Sequence, residues 1–196
     1  MPRQSDTRTR ARDEFARRLT DYGYLGVSLD DIAKAVDVKK ASLYHHFPGG
    51  KPALFMEVAD HCTKEASALL QDALATPGTL RDKLLALAAS YATGTYNSAL
   101  SNQIYYAIRH LEDDQRAEVS QAYVRGLIQP VTDLMAQAVA TGELRQADAG
   151  FLATAFMELA ATVHPAQDGC SPASADRLAQ DVVDLFLRGA GPDPLT

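Results

Sequence analysis

Residues 28–51, SLDDIAKAVDVKKASLYHHFPGGK, decide how this chain folds. Ser28 is a good helix N-cap, because its hydroxyl can accept a hydrogen bond from a backbone N–H of the first turn. Asp31 follows at the capping-box position, a shorter version of the usual Glu. Leu29, Ile32, Ala33 and Val36 recur at three- and four-residue spacing, which predicts a helix over Leu29–Ala35 with one apolar face. Val36-Asp37-Val38 breaks that pattern. A second short helix, over residues 39–47, carries Ala41, Leu43, Tyr44 and Phe47 until Pro48-Gly49-Gly50 stops it. Two short helices joined by a tight turn make a helix-turn-helix, whose second helix can lie in the DNA major groove.

The polar face of that second helix suits such a task. Lys39, Lys40, Ser42 and His45 are donors or mixed donor–acceptors, and Ala41 is small enough to admit a thymine methyl. The Tyr44 hydroxyl can reach a phosphate. Spacing alone leaves a plainer reading open, a two-helix corner with a solvated basic face.

The residue identities favour the first reading. Gly23-Tyr24, Ser28, Asp31-Ile32-Ala33, Val38, Leu43-Tyr44-His45-His46-Phe47 and Lys51 together strongly resemble the N-terminal domain of the TetR family of transcriptional regulators. The resemblance covers residues 11–58, with the Leu-Tyr-His-His-Phe run its most specific part. Three positions depart from the family pattern. Asp37 stands where Gly is usual, though Asp tolerates a positive φ better than most residues. Lys39 replaces a common Ser or Thr at the start of the second helix, and Pro52 replaces an acidic residue. The resemblance implies that Lys51 approaches the DNA backbone.

Charge is divided along the chain. Residues 1–51 hold ten Lys/Arg and seven Asp/Glu, a balance of +3, and the remainder holds nine and eighteen, a balance of −9, which together give the net −6. A basic head on an acidic body fits DNA contact at one end. Few phosphates can be neutralised, so non-specific affinity should be modest. An apolar content of 46% argues against wholesale disorder. No apolar run reaches the roughly eighteen residues that a membrane span needs, and no secretory signal is legible. Cys62 and Cys170 form no C-x-x-C pair, and reduced thiols in a cytoplasm are the expectation.

The remaining chain reads as helices. Arg3, Arg8 and Arg10 lie near a polar N-terminus, where a solvated tail competes with an arm on the DNA. A first helix over residues 7–22 places Ala11, Phe15, Leu19 and Tyr22 on one side, and Gly23 suits a left-handed C-terminal residue. A long helix over 52–75 opens at Pro52 and joins head to body, with Leu54, Val58, Ala66 and Leu70 in its stripe. Further helices are expected over 79–95, 97–111 and 113–141, the last interrupted at Pro130 and closed by Gly142. Helices over 148–163 and 175–187 end the body. The fold class is therefore all-α: a three-helix head, residues 1–51, joined by a long helix to a bundle of about six helices within residues 52–196.

Chemistry for catalysis is not apparent. Gly49-Gly50-Lys51 lacks the phosphate-loop spacing, and His61-Cys62 point about 100° apart on a helix with no third ligand. Asp30-Asp31 and Asp113-Asp114 read as charges at helix N-termini. His110 and His164 stand alone. No enzyme activity, cofactor or metal is expected. Tyr91, Tyr96, Tyr105, Tyr106 and Tyr123 fall on middle helices, where packing is the plain reading. The resemblance implies a small-molecule effector pocket among those helices, and Tyr91, Tyr105, Tyr106 and Tyr123 are its candidates. The stripes Leu152–Phe156–Leu159–Val163 and Leu178–Val182–Leu185 are candidates for a homodimer interface.

The resulting expectation is a cytoplasmic homodimeric regulator of double-stranded operator DNA, a repressor released by an unidentified small-molecule effector, with no membrane partner. Two alternatives stay open: an all-α small-molecule carrier or enzyme, and a DNA-binding activator or architectural protein that needs no effector.

Overall fold

The computed structural model describes residues 4–92, 98–163 and 172–192. Arg3, Tyr96, His164 and Cys170 lie outside the described residues. Every regular element among those described is helical, as expected.

Helix α1 (Gln4–Gly26) buries Ala11, Phe15 and Leu19 completely, each one turn after the last. Gly23 breaks it with φ 67° and ψ 172°. The positive φ matches the expectation for Gly23, but ψ is extended rather than left-handed helical. That turn reverses the roles of two tyrosines. Tyr22, expected on the buried side, is 63% exposed, while Tyr24 swings inward with its ring edge-to-face on Phe55 at 5.2 Å.

Helices α2 (Leu29–Ala35) and α3 (Lys40–His46) follow, then α4 (Gly50–Leu74), α5 (Leu80–Ala92) and α6 (Ser98–Ala107). Helix α7 (Asp113–Tyr123) runs through a π-helical turn, Val124–Ile128, into α8 (Gln129–Thr141). Pro130 accounts for that turn. It has no N–H to donate, and in an α-helix its ring would crowd the Gly126 carbonyl. Instead the Gln129 N–H reaches back five residues to the Val124 carbonyl, and the widened turn accommodates the proline. Gly142 closes α8 in the left-handed conformation, φ 79° and ψ 10°. Helices α9 (Ala149–Ala160) and α10 (Pro172–Ala190) complete the chain.

The chain forms two packing units. The first comprises residues 1–64 and 97–122, the second 65–96 and 123–196. In the first, α1 to α4 share a core of Phe15, Leu19, Ile32, Leu43, Phe47, Leu54 and Phe55, joined by Ala107, Leu111 and Val119. Helix α6 and most of α7 thus pack with the head, although the sequence suggested that they belong to the body. Leu100, Ile104 and Ala107 supply the apolar side by which α6 joins that core. In the second unit, α10 packs on α5 and α9, and α9 on α8, around Leu84, Met135, Leu152, Phe156 and Val183. Helix α4 contributes to both cores, with Leu54, Phe55 and Val58 to the first and Ala66, Leu70 and Ala73 to the second.

Candidate nucleic-acid interface

The helix-turn-helix is built from local signals that agree with each other. Ser28 caps α2, its Oγ accepting from the Asp31 N–H at 3.2 Å while donating to the Asp31 carboxylate at 2.6 Å. After α2 the chain turns at Asp37, whose φ is 55°. The turn closes with the Val38 N–H donating to the Ala33 carbonyl at 2.9 Å. Lys39 then occupies the N-cap of α3 with no side-chain capping bond, the consequence of losing a Ser or Thr there. Leu43 is the buried residue of α3, and Phe47 ends it inside the core.

That leaves a broad outer face. Lys39, Lys40, Ala41, Tyr44 and His45 are exposed, and Ser42 is half-buried. Ser28, the N-cap of α2, is exposed as well. Among the described residues Lys34 and Lys39 have no ion pair, whereas Lys40 donates to Asp30 at 2.9 Å. That hydrogen bond raises the Lys40 pKa above the ordinary lysine value. Both side chains are about half exposed, so the pair holds Lys40 only weakly. Lys51 is placed differently from a free phosphate ligand. Its Nζ lies 4.3 Å from the Tyr24 ring centroid, and burial holds its pKa below the usual lysine range. Tyr24 is also stacked on His110, 5.5 Å apart with rings 8° from parallel.

Sequence reasoning missed the role of the arginines near the N-terminus. Arg8 and Arg10 are not a loose arm, since both turn back onto the motif. Arg8 pairs with Glu57 on α4, Nε donating to the two carboxylate oxygens at 2.9 and 2.7 Å, and its guanidinium lies 5.4 Å from the Phe47 ring centroid. Arg10 Nη2 donates to the Val36 carbonyl at 2.8 Å. Arg17 and Arg18 are engaged with Glu14, so part of the head's basic charge is balanced on α1 itself. A cleft of about 540 Å³ opens among Arg8, Arg12, Glu57, Asp60, His61 and Lys64. Its charges are mixed in sign.

The second unit separates the other candidates. Tyr91 lines a cavity of about 20 Å³ with Ala66, Leu69, Leu87, Ser90, Leu127 and Met157. Tyr105 and Tyr106 do not join it: they lie on α6 in the first unit, 70% and 60% exposed, with rings packed on each other at 5.5 Å. Tyr123 is also exposed. The interface candidates need a similar correction. Leu152, Phe156, Val163 and Val182 are buried in the core of their own unit, so they have no outer face to offer a partner. Leu159 is half-buried, and Leu178 and Leu185 are exposed, Leu185 at 61%. Phe151, not among the candidates, is 62% exposed on α9. No group of three potential metal ligands occurs among the described residues, and none of the helices searched there is long and apolar enough to cross a membrane.

Comparison with known proteins agrees with this geometry. Residues 12–58 match the model of the bacterial regulatory proteins, tetR family. IcaR of Staphylococcus aureus (strain Newman), the negative transcriptional regulator of the biofilm operon icaADBC, is 59% identical over 39 residues, 20% of this chain and 21% of IcaR. IcaR of Staphylococcus epidermidis is 42% identical over 50 residues, 26% of each chain. The chain thus matches about a fifth to a quarter of the length of these curated relatives. Likeness to solved structures runs further. PfmR, a TetR family regulator from Thermus thermophilus, superposes with a TM-score of 0.75 at 23% identity, covering 91% of this chain and 97% of PfmR. A tetR-family regulatory protein from Rhodococcus RHA1 gives 0.78 at 20% identity, covering 95% and 98%. AibR, solved with isovaleryl coenzyme A and operator DNA, gives 0.72 at 20% identity, covering 95% and 98%. At these identities the structures speak for the fold.

Proposed function

We propose that this chain, whose residues 12–58 match the tetR family of bacterial regulatory proteins, is a homodimeric transcriptional repressor that reads DNA through its helix-turn-helix. Residues 1–51 would bind double-stranded operator DNA, and residues 52–196 would bind an effector and form the dimer. The observation that carries the reading is the outer face of α3, where Lys39, Ala41, Tyr44 and His45 stand exposed on a helix whose Leu43 is in the core. A rigid base with donors and a small apolar residue facing outward is what major-groove reading requires. Two subunits would read half-sites about 34–36 Å apart.

The outer stripes of α9 and α10 support dimerisation. Phe151 and Leu159 on one, with Leu178 and Leu185 on the other, are apolar side chains that their own unit leaves wholly or partly uncovered. Two copies related by a two-fold axis would cover them as a four-helix bundle. For the effector, the cavity beside Tyr91 is apolar with two hydroxyls, from Ser90 and Tyr91. At about 20 Å³ it must enlarge to admit a ligand. Release follows if the ligand binds the two dimer shapes unequally, typically by about 1–3 kcal/mol. Repression is favoured over activation by the likeness to IcaR, a negative transcriptional regulator.

Protection mapping on genomic DNA from the source organism tests this reading. The expected result is a protected palindrome with two half-sites, and anisotropy titrations in which random DNA competes poorly. Binding that random DNA abolishes at equal concentration would overturn sequence-specific regulation.

A further inference from the structure

The backbone carbonyl that Arg10 reaches and the ring that Arg8 covers belong to equivalent places in the motif. Val36 is the C-cap of α2, and Phe47 is the C-cap of α3. Both arginines come from the same turn of α1. We propose that Arg8 and Arg10 act as a clamp that sets the position of the recognition helix α3 on the head, rather than as an arm that touches DNA. This rests on the reading of α3 as the recognition helix.

Helix α3 has little hold of its own. It is seven residues long, has no side-chain N-cap, and offers one buried residue to the core. Its orientation therefore depends on what grips its ends. At the α2 end of the turn, the Arg10 guanidinium donates to the Val36 carbonyl at 2.8 Å, where the helix leaves carbonyls without intrahelical partners and a cation is favoured. At the other end, Phe47 is 2% exposed, and the Arg8 guanidinium lies over its ring. Glu57 holds Arg8 there through bonds from both Nε and Nη2, a fork geometry that lysine cannot reproduce. Glu57 is on α4, so the contact links the end of α3 to two other helices at once. The Arg8 side chain stays 55% exposed, so contact with a phosphate is the rival role that the test separates.

The two roles give opposite results for one variant. If Arg8 is a positioning residue, Glu57→Gln should behave like Arg8→Ala. Each should lower operator affinity about five- to tenfold and reduce the preference for operator over random DNA, with the salt slope unchanged. If Arg8 neutralises a phosphate, Arg8→Ala should instead cut the salt slope by about one, while Glu57→Gln frees the arginine and leaves affinity equal or higher. Arg8→Lys should recover the salt slope in the second case but not the operator preference in the first. Arg10→Lys and Arg10→Ala extend the same comparison to the end of α2, where the chain turns into α3. Hydrogen exchange of the Lys40–His46 amides provides a readout without DNA. Arg8→Ala should speed it about fivefold with α10 amides unchanged, and no change there overturns the clamp. If the wild-type chain shows no operator preference, the functional reading fails, and the exchange result still decides whether the arginines hold α3.

Discussion

Helices α3 and α9 are built on opposite plans. Helix α3 keeps one residue, Leu43, in the core and shows most of its other side chains to solvent. Helix α9 buries Leu152, Ala153, Phe156 and Ala160, and Asp148 caps it by accepting from the Phe151 N–H at 2.7 Å. One helix presents side chains and borrows its position from neighbours. The other fills a core and largely supplies its own stability. Substitutions in α9 should therefore register as folding free energy, and those on the outer face of α3 as DNA affinity with little loss of stability.

The largest expected effect is at Phe156. Its ring is fully buried and meets Phe186 edge-to-face at 5.1 Å. Phe156→Ala removes that contact and leaves a cavity, at a cost of about 3–5 kcal/mol. Urea unfolding of the variant measures it. A loss below about 1 kcal/mol would mean that the site collapses freely and that α9 is not the anchor described.

Next comes the outer side of the same pair of helices. Leu185→Arg puts a charge on an exposed position, so the fold should survive. If a second copy covers Leu185, the variant should lose about 2 kcal/mol or more of association and sediment as a folded monomer. A folded dimer at the wild-type dissociation constant would remove this stripe from the interface. Asp148→Ala should cost less, about 1 kcal/mol, through loss of the cap on α9. It should do so without altering operator affinity per folded molecule, which titration normalised to binding-competent protein would check.

How much of this the sequence foretold depends on the range of the signal. Ser28 with Asp31, the positive φ of Asp37 and the closure at Gly142 are local events, decided within a few residues, and each was legible. The outer and inner sides of α9 were not. AGFLATAFMELA is apolar almost all round, so periodicity cannot say whether Phe151 or Phe156 faces inward. The allegiance of α6 to the head is a long-range packing choice with no local marker. Arg8 and Arg10 read as a solvated tail or an arm on the DNA, because nothing local marks a partner for long basic side chains near a terminus. Their direction is fixed by Glu57 and Val36, 49 and 26 residues away.

The smallest effect sharpens the comparison at α3 itself. Lys40 belongs to the outer face, yet its ammonium is bonded to Asp30 at 2.9 Å across the turn. An exposed pair of this kind typically contributes between 0 and about 1 kcal/mol to stability, so Lys40→Ala and Asp30→Ala should both leave the unfolding curve nearly unchanged. Their effects on DNA should differ in sign. If Lys40 exchanges Asp30 for a phosphate on binding, Lys40→Ala lowers operator affinity and reduces the salt slope by about one. Asp30→Ala should then raise affinity slightly, because the exchange no longer has to break a pair and a nearby negative charge is gone. Equilibrium titrations at several salt concentrations resolve both changes. If the two variants weaken binding equally, the pair works as a brace inside the motif, and α3 depends on its neighbours even for the side chains it presents.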